Sequence, residues 1–189
     1  MVDTTKPTAT SPLDGLAPLA GAVALGEKTG LGAFNLRGTG DAFFDALERA
    51  LGLRLPTDPG TASAADDLQA LWLGPDEWLL AAPLDRMERI ATAIRDALGG
   101  QHIAFTEVSD QTVVLSLTGP KAREVLARGC PLDLHERAFG PGRCAQSHYV
   151  KAGILLHQSD NRPTFEVRVR RSLARYLWAA LAEAAGEFD

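Results

Sequence analysis

Val113-Val114-Leu115-Ser116-Leu117-Thr118-Gly119-Pro120 is the stretch on which the fold turns. From Val113 to Leu117 it is apolar and β-branched, and it reads as a strand. Gly119 breaks the run. Pro120 then opens a helix through Ala122, Val125 and Leu126, where a missing backbone N–H costs little. Downstream, residues 144–150, 154–158 and 164–169 read as further strands. Residues 172–185 read as a closing helix, with Leu173, Tyr176, Leu177, Ala180 and Leu181 at helical spacing and Ser172 as its cap. Strand, helix, strands, helix is the order of a split βαβ unit.

The same order stands upstream. Ala33-Phe34-Asn35-Leu36-Arg37 alternates as a strand, and Gly38-Thr39-Gly40 ends it. Asp41 caps a helix carrying Phe43, Phe44, Leu47 and Leu51, which stops at Gly52. Residues 68–73 and 77–82 read as a hairpin across Gly74-Pro75-Asp76. A second helix over 84–98 places Met87, Ile90, Ile94 and Leu98 on one stripe. The expected fold class is α+β: two split βαβ-type halves, about 31–100 and 101–189, with antiparallel sheets and helices on one face. Residues 1–30, rich in Thr, Pro, Gly and Ala, read as a flexible N-terminal arm preceding the 31–189 domain. Leu13, Leu16, Leu19, Val23 and Leu25 give that arm enough apolar surface to dock on something.

Composition narrows the function classes. With 46% hydrophobic and 23% charged residues the 189-residue chain is globular and long enough to bury a core. A net charge of −5 argues against nucleic acid as a partner, because phosphate neutralisation calls for a basic stripe. No apolar run approaches the roughly 20 residues that cross a bilayer, so no membrane role is expected. Lys6 is not followed by an apolar core with a cleavage site, and cytoplasmic residence is expected. Cys130 and Cys144 are the only two cysteines; they form neither a disulfide framework nor a Cys-x-x-Cys metal pair.

Few motifs carry chemistry. Gly74-Pro75-Asp76-Glu77-Trp78 is turn chemistry. It leaves two readings: Trp72 and Trp78 packed on the sheet, or a partner surface anchored by tryptophan. Asp76 and Glu77 are adjacent in a turn and do not face each other as a catalytic pair would. Gly38-Thr39-Gly40 and Gly140-Pro141-Gly142 lack the spacing of phosphate or dinucleotide loops, and Pro141 removes a donor. His148 and His157 fall on neighbouring strands, but a zinc site needs more ligands than two. Arg168, Arg170, Arg171 and Arg175 cluster at a strand-to-helix junction, as a solvated face or as a docking surface for an acidic partner. No residue is assigned as catalytic, cofactor-binding or metal-binding. The candidate subunit interface is Trp72, Trp78, Arg170, Arg171 and Arg175.

Taken in order, several separated segments resemble one family. They are Leu71-Trp72-Leu73-Gly74-Pro75-Asp76-Glu77-Trp78-Leu79-Leu80, the opening stretch, Gly129-Cys130-Pro131-Leu132-Asp133-Leu134-His135, Phe139-Gly140-Pro141-Gly142-Arg143-Cys144-Ala145 and Arg171-Ser172-Leu173-Ala174-Arg175-Tyr176-Leu177-Trp178. Across most of residues 30–185 the chain resembles the gamma subunit family of heterotetrameric sarcosine oxidase. The resemblance implies an aminomethyltransferase folate-binding-domain-like scaffold and a noncatalytic assembly role. The complex it implies converts sarcosine to glycine, with peroxide and formaldehyde or methylene-tetrahydrofolate as products. Alpha, beta and delta subunits are the implied partners. FAD, FMN, NAD and tetrahydrofolate are implied for those partners, and no cofactor for this chain.

Departures from the wider superfamily sharpen that expectation. Aminomethyltransferases carry Gly-Gly-Ile-x-Asp-Asp where this chain has Ala152-Gly153-Ile154-Leu155-Leu156-His157. Leu156 and His157 stand in the place of carboxylates, and a leucine cannot do acid–base work. The iron–sulfur-assembly relatives carry Lys-Gly-Cys-Tyr-x-Gly-Gln-Glu; Gly142-Arg143-Cys144-Ala145-Gln146-Ser147-His148 shares only part of it, so Cys144 reads as an ordinary core thiol. The alternative expectation is a free-standing folate-binding protein. An orphan subunit exposes apolar surface, so self-association of the isolated chain is expected.

Overall fold

The computed structural model describes residues 10–188. The described strands are β1 (Ala24–Glu27), β2 (Leu31–Arg37), β3 (Ala62–Ala65), β4 (Leu68–Gly74), β5 (Glu77–Pro83), β6 (Ala104–Glu107), β7 (Thr112–Thr118), β8 (Cys144–Tyr149), β9 (Ala152–Gln158) and β10 (Thr164–Arg170). The helices are α1 (Asp41–Leu51), α2 (Met87–Leu98), α3 (Ala122–Ala127) and α4 (Ala174–Ala185). Two antiparallel sheets result, ordered β3-β4-β5-β2-β6 and β1-β7-β10-β9-β8. Each is covered by helices on one face, as the alternation predicts.

Strand period decides what each sheet buries. In β2 and β5, Phe34, Leu36, Trp78, Leu80 and Ala82 point one way, into a core closed by Phe43 and Leu47 of α1 and Ile90, Ile94 and Leu98 of α2. In the other sheet, Leu115, Leu117, Leu156, Phe165 and Val167 meet Val125 of α3 and Leu177 and Leu181 of α4. Intervening residues of every strand face away from the helices.

The arm and the half boundary need correction. Residues 1–9 of the expected arm lie outside the described residues, but 10–30 are docked on their own chain. Leu13, Val23 and Leu25 are buried in the second core, and β1 pairs with β7 from Ala24↔Thr118 to Glu27↔Leu115. Composition concealed this because a four-residue strand gains its stability from the partner it joins, not from its own pattern. Gly119 permits the approach: its φ is +117°, and a Cβ there would stand 2.5 Å from the Ala22 carbonyl oxygen. β6 crosses the other way. It lies past residue 100 yet pairs with β2, Phe34↔Glu107 to Arg37↔Ala104, so the first sheet takes a strand from the second half while the second sheet takes one from the arm.

Two caps also differ. Gly40, at φ 93°, occupies the N-cap of α1 with no side-chain bond, and Asp41 is the first helical residue. Gly40 adopts a turn that supplies its carbonyl to the Phe43 and Phe44 amides, so no carboxylate cap is needed. Ser172 lies in a 3₁₀ turn over Arg171–Leu173, which feeds α4 directly through the Ala174 amide bonded to the Arg171 carbonyl. The α1 stop stands as expected: Gly52 is left-handed at φ 66° and donates to the Glu48 carbonyl.

Candidate functional site

The helix-free faces of the two sheets meet in a seam, which opens into a cleft of about 540 Å³. From one sheet come Asn35, Leu73 and Leu79; from the other come Gln146, Leu155, Arg168 and Arg170. Backbone and side-chain bonds hold the seam shut at one end. Thr61 bridges Arg143, the Cys144 amide donates to the Gly60 carbonyl, and Gln146 Nε2 donates to the Leu73 carbonyl at 3.0 Å.

Charge is buried in that seam. Alternation along β10 sends Phe165, Val167 and Val169 to the helices and Glu166 and Arg168 to the seam, where they are 2% and 4% exposed. Lys28, just after β1, reaches Glu166 Oε1 with Nζ at 2.5 Å. Arg168 Nη2 donates to Glu166 Oε2 at 3.2 Å. His157 Nδ1 is 3.9 Å from the same oxygen, too long for a hydrogen bond, and it has no other protein partner. Burial by itself would raise the Glu166 carboxyl. The neighbouring His157, the Arg168 charge and Lys28 outweigh it and hold the group well below the usual carboxylate range. Of these, Lys28 and Arg168 make direct contact. A carboxyl locked in its charged form neither donates nor collects a proton near neutral pH.

This network was not assigned from sequence, where Arg168 joined an exposed basic cluster. The available signal was charge on alternate residues of β10, Glu166, Arg168 and Arg170, which places them on one face together with whatever covers it. The two residues at the superseded carboxylate positions separate. Leu156 is buried among the helix-side apolar residues, and His157 faces the seam.

The candidate interface residues also separate. Trp78 is fully buried in the first core, with its Nε1 donating to the Pro56 carbonyl at 2.7 Å, so it offers no surface to a partner. The core reading of Trp78 therefore replaces the interface reading, because its strand position points at the helices. Trp72 packs partly buried against the same core. Arg171 donates to the Thr10 carbonyl, and Arg175 donates to the Asp14 carbonyl at 3.1 Å; both are exposed. They tie down the N-terminal segment. Arg170 is exposed, lines the cleft and has no ion-pair partner among the described residues. Asp76 and Glu77 serve the hairpin, accepting from Arg37 Nη2 and Asn35 Nδ2.

The histidines do not assemble. His148 pairs opposite Gly153 and His157 opposite Cys144, four residues apart along the ladder. Among the described residues no three His, Cys, Asp or Glu side chains group as a metal site would require. No helix of those residues is long and apolar enough to cross a membrane.

Cys144 is 1% exposed, with Sγ 3.2 Å from the Thr61 carbonyl oxygen. Burial pushes its thiol up to about 11, only partly countered by a backbone hydrogen bond at Trp72 and by the Arg143 charge. Native Cys144 is therefore expected to resist iodoacetamide at about pH 8 and to react once the chain is unfolded in urea, as followed by mass spectrometry. The folded state keeps this proton longer than the unfolded state does. Stability from this group is thus complete below the ordinary thiol value of 9.0 and drains as pH rises toward the folded value.

A family model described as sarcosine oxidase, gamma subunit family, matches residues 37–187, most of the chain. This chain belongs to the sarcosine oxidase gamma subunit family. The gamma subunit from Arthrobacter sp. is 40% identical over 145 residues, covering 76% of this chain and 70% of that one. Among solved structures, the heterotetrameric sarcosine oxidase from Corynebacterium sp. U-96 contains a chain that superposes with a TM-score of 0.87 at 31% identity. That match covers 95% of this chain and 96% of the other. The glycine cleavage system aminomethyltransferase T from Bartonella henselae superposes with a TM-score of 0.61 at 18% identity, covering 83% of this chain and 44% of that one. The aminomethyltransferase likeness is one of fold.

Proposed function

We propose that this gamma-family chain is a noncatalytic assembly subunit of a heterotetrameric, flavin-dependent sarcosine oxidase. The observation that carries the reading is the end-to-end likeness to a chain of such a complex, over 95% of one and 96% of the other. In this reading the partners are the alpha, beta and delta subunits, residence is cytoplasmic, and FAD, FMN, NAD and tetrahydrofolate are held by the partners. The chain's own glycine loops do not fit a phosphate. A Cβ at Gly38 would meet the Phe43 ring at 2.3 Å, and one at Gly140 would meet the Glu136 carbonyl at 3.1 Å, so the chain's own atoms fill those spaces.

The seam supports the noncatalytic part. Glu166, the carboxylate buried there, is spent on Lys28 and Arg168, and its lowered acidity range removes it from proton transfer. The remaining products of the complex, glycine, peroxide and formaldehyde or methylene-tetrahydrofolate, then arise on other subunits.

The purified chain alone is expected to be colourless and to form no peroxide from sarcosine, read by absorbance and a peroxidase-coupled assay. Sarcosine-dependent peroxide from the lone chain would contradict the proposal. Tight tetrahydrofolate binding by the lone chain would instead favour a free-standing folate-binding protein.

A further inference from the structure

We propose that the inter-sheet cleft is a binding site for a small organic carboxylate with an apolar body. This inference stands independently of the subunit reading, since it rests on the cleft alone. At about 540 Å³ the cleft has the capacity of a small-molecule site. Its walls are chiefly aliphatic, with Leu73, Leu79, Val108 and Leu155 among them. Its polar groups are amides and hydroxyls plus two guanidiniums, Arg168 and Arg170, and no carboxylate lines it.

The charge on its lining is positive, because Arg168 and Arg170 are the two charged residues of that lining. Glu166, the anion bonded to Arg168, also holds Lys28 and lies outside the lining, and Glu77 accepts from Asn35 Nδ2 at 2.7 Å. Arg168 gives one Nη2 bond to Glu166, and its buried Nε has no partner. A guanidinium presents five N–H donors, so most of its capacity is unspent. Arg170 has no hydrogen-bond or ion-pair partner among the described residues and completes a two-cation approach from the exposed side. Arginine pairs bind carboxylates through charge-assisted bonds whose strength grows as water is excluded. Gln111 adds a neutral polar group, the Asn35 amide nitrogen being already given to Glu77, and the leucine walls fit an aromatic or aliphatic body. Desolvation already destabilises the Arg168 cation, and an incoming anion relieves that cost.

Benzoate is the probe, with benzamide as its neutral isostere, titrated into the full chain labelled at leucine and valine methyls. Saturable shifts are expected at Leu73, Leu79, Val108 and Leu155, with affinity in the millimolar range or tighter for so small a ligand. Benzamide is expected to leave those signals in place. Arg170→Gln, an exposed change that preserves the fold, is expected to weaken benzoate at least about fivefold, the loss of one charge-assisted contact. Absence of saturable shifts up to about 10 mM, an equal response to benzamide, or unchanged affinity in Arg170→Gln would each overturn the proposal.

Discussion

Replacing Glu166 with glutamine is expected to destabilise the chain by about 3–5 kcal/mol, because it strands buried charge instead of removing a favourable contact. Lys28 is 43% exposed and can return to water, but Arg168 is nearly enclosed and cannot. The comparison with a double variant isolates the cause. Glu166→Gln combined with Arg168→Leu is expected to cost less than Glu166→Gln alone, since no unpaired cation is then left inside. Urea denaturation of the purified chains reads both values. A single variant as stable as wild type would show that the seam admits enough water to solvate Arg168. The pH dependence has a definite sign. The native carboxyl lies below its ordinary value of 4.5, so its contribution is complete above that value and drains as pH falls through the acid range.

Trp78→Ala is the second large effect, at about 3–5 kcal/mol, equivalent to a fall in Tm on the order of 10 °C. The ring fills the core beside Phe43 and meets Phe44 edge-on at 5.5 Å. Its loss also leaves the Pro56 carbonyl without its buried donor. The variant separates the two roles a tryptophan in this hairpin could have. A core residue lowers the melting temperature of the isolated chain. An interface anchor leaves that temperature alone and weakens only assembly, which would contradict the packing described for Trp78.

The strand–helix order was legible because period 2 and period 3.6 leave different marks, and most of the long strands carry them. Residues 164–169 read as a strand from Thr-Phe-Glu-Val-Arg-Val, and β10 is there. The same letters did not disclose the site. Alternation says which residues share a face but not what lies across it, so Arg168 read as part of a solvated or docking cluster and Glu166 drew no reading, whereas the second sheet buries both. Their partner Lys28 is 138 residues away from Glu166, in a segment that read as a loose arm. Short strands failed for a related reason. β1, β3 and β6 span four residues each, too few for a period, and their ladders come from distant partners. Trp78 was ambiguous because an amphipathic aromatic suits a core and an interface equally well; only its place on the helix side of β5 resolves it.

Subunit function is tested most directly by co-expressing this chain, affinity-tagged, with its candidate partner subunits and recording the absorbance spectrum and activity of what elutes. The expected result is a yellow complex containing a much larger chain and forming peroxide when sarcosine is added. A colourless single chain, recovered although the partners are present in soluble form, would contradict the assembly role.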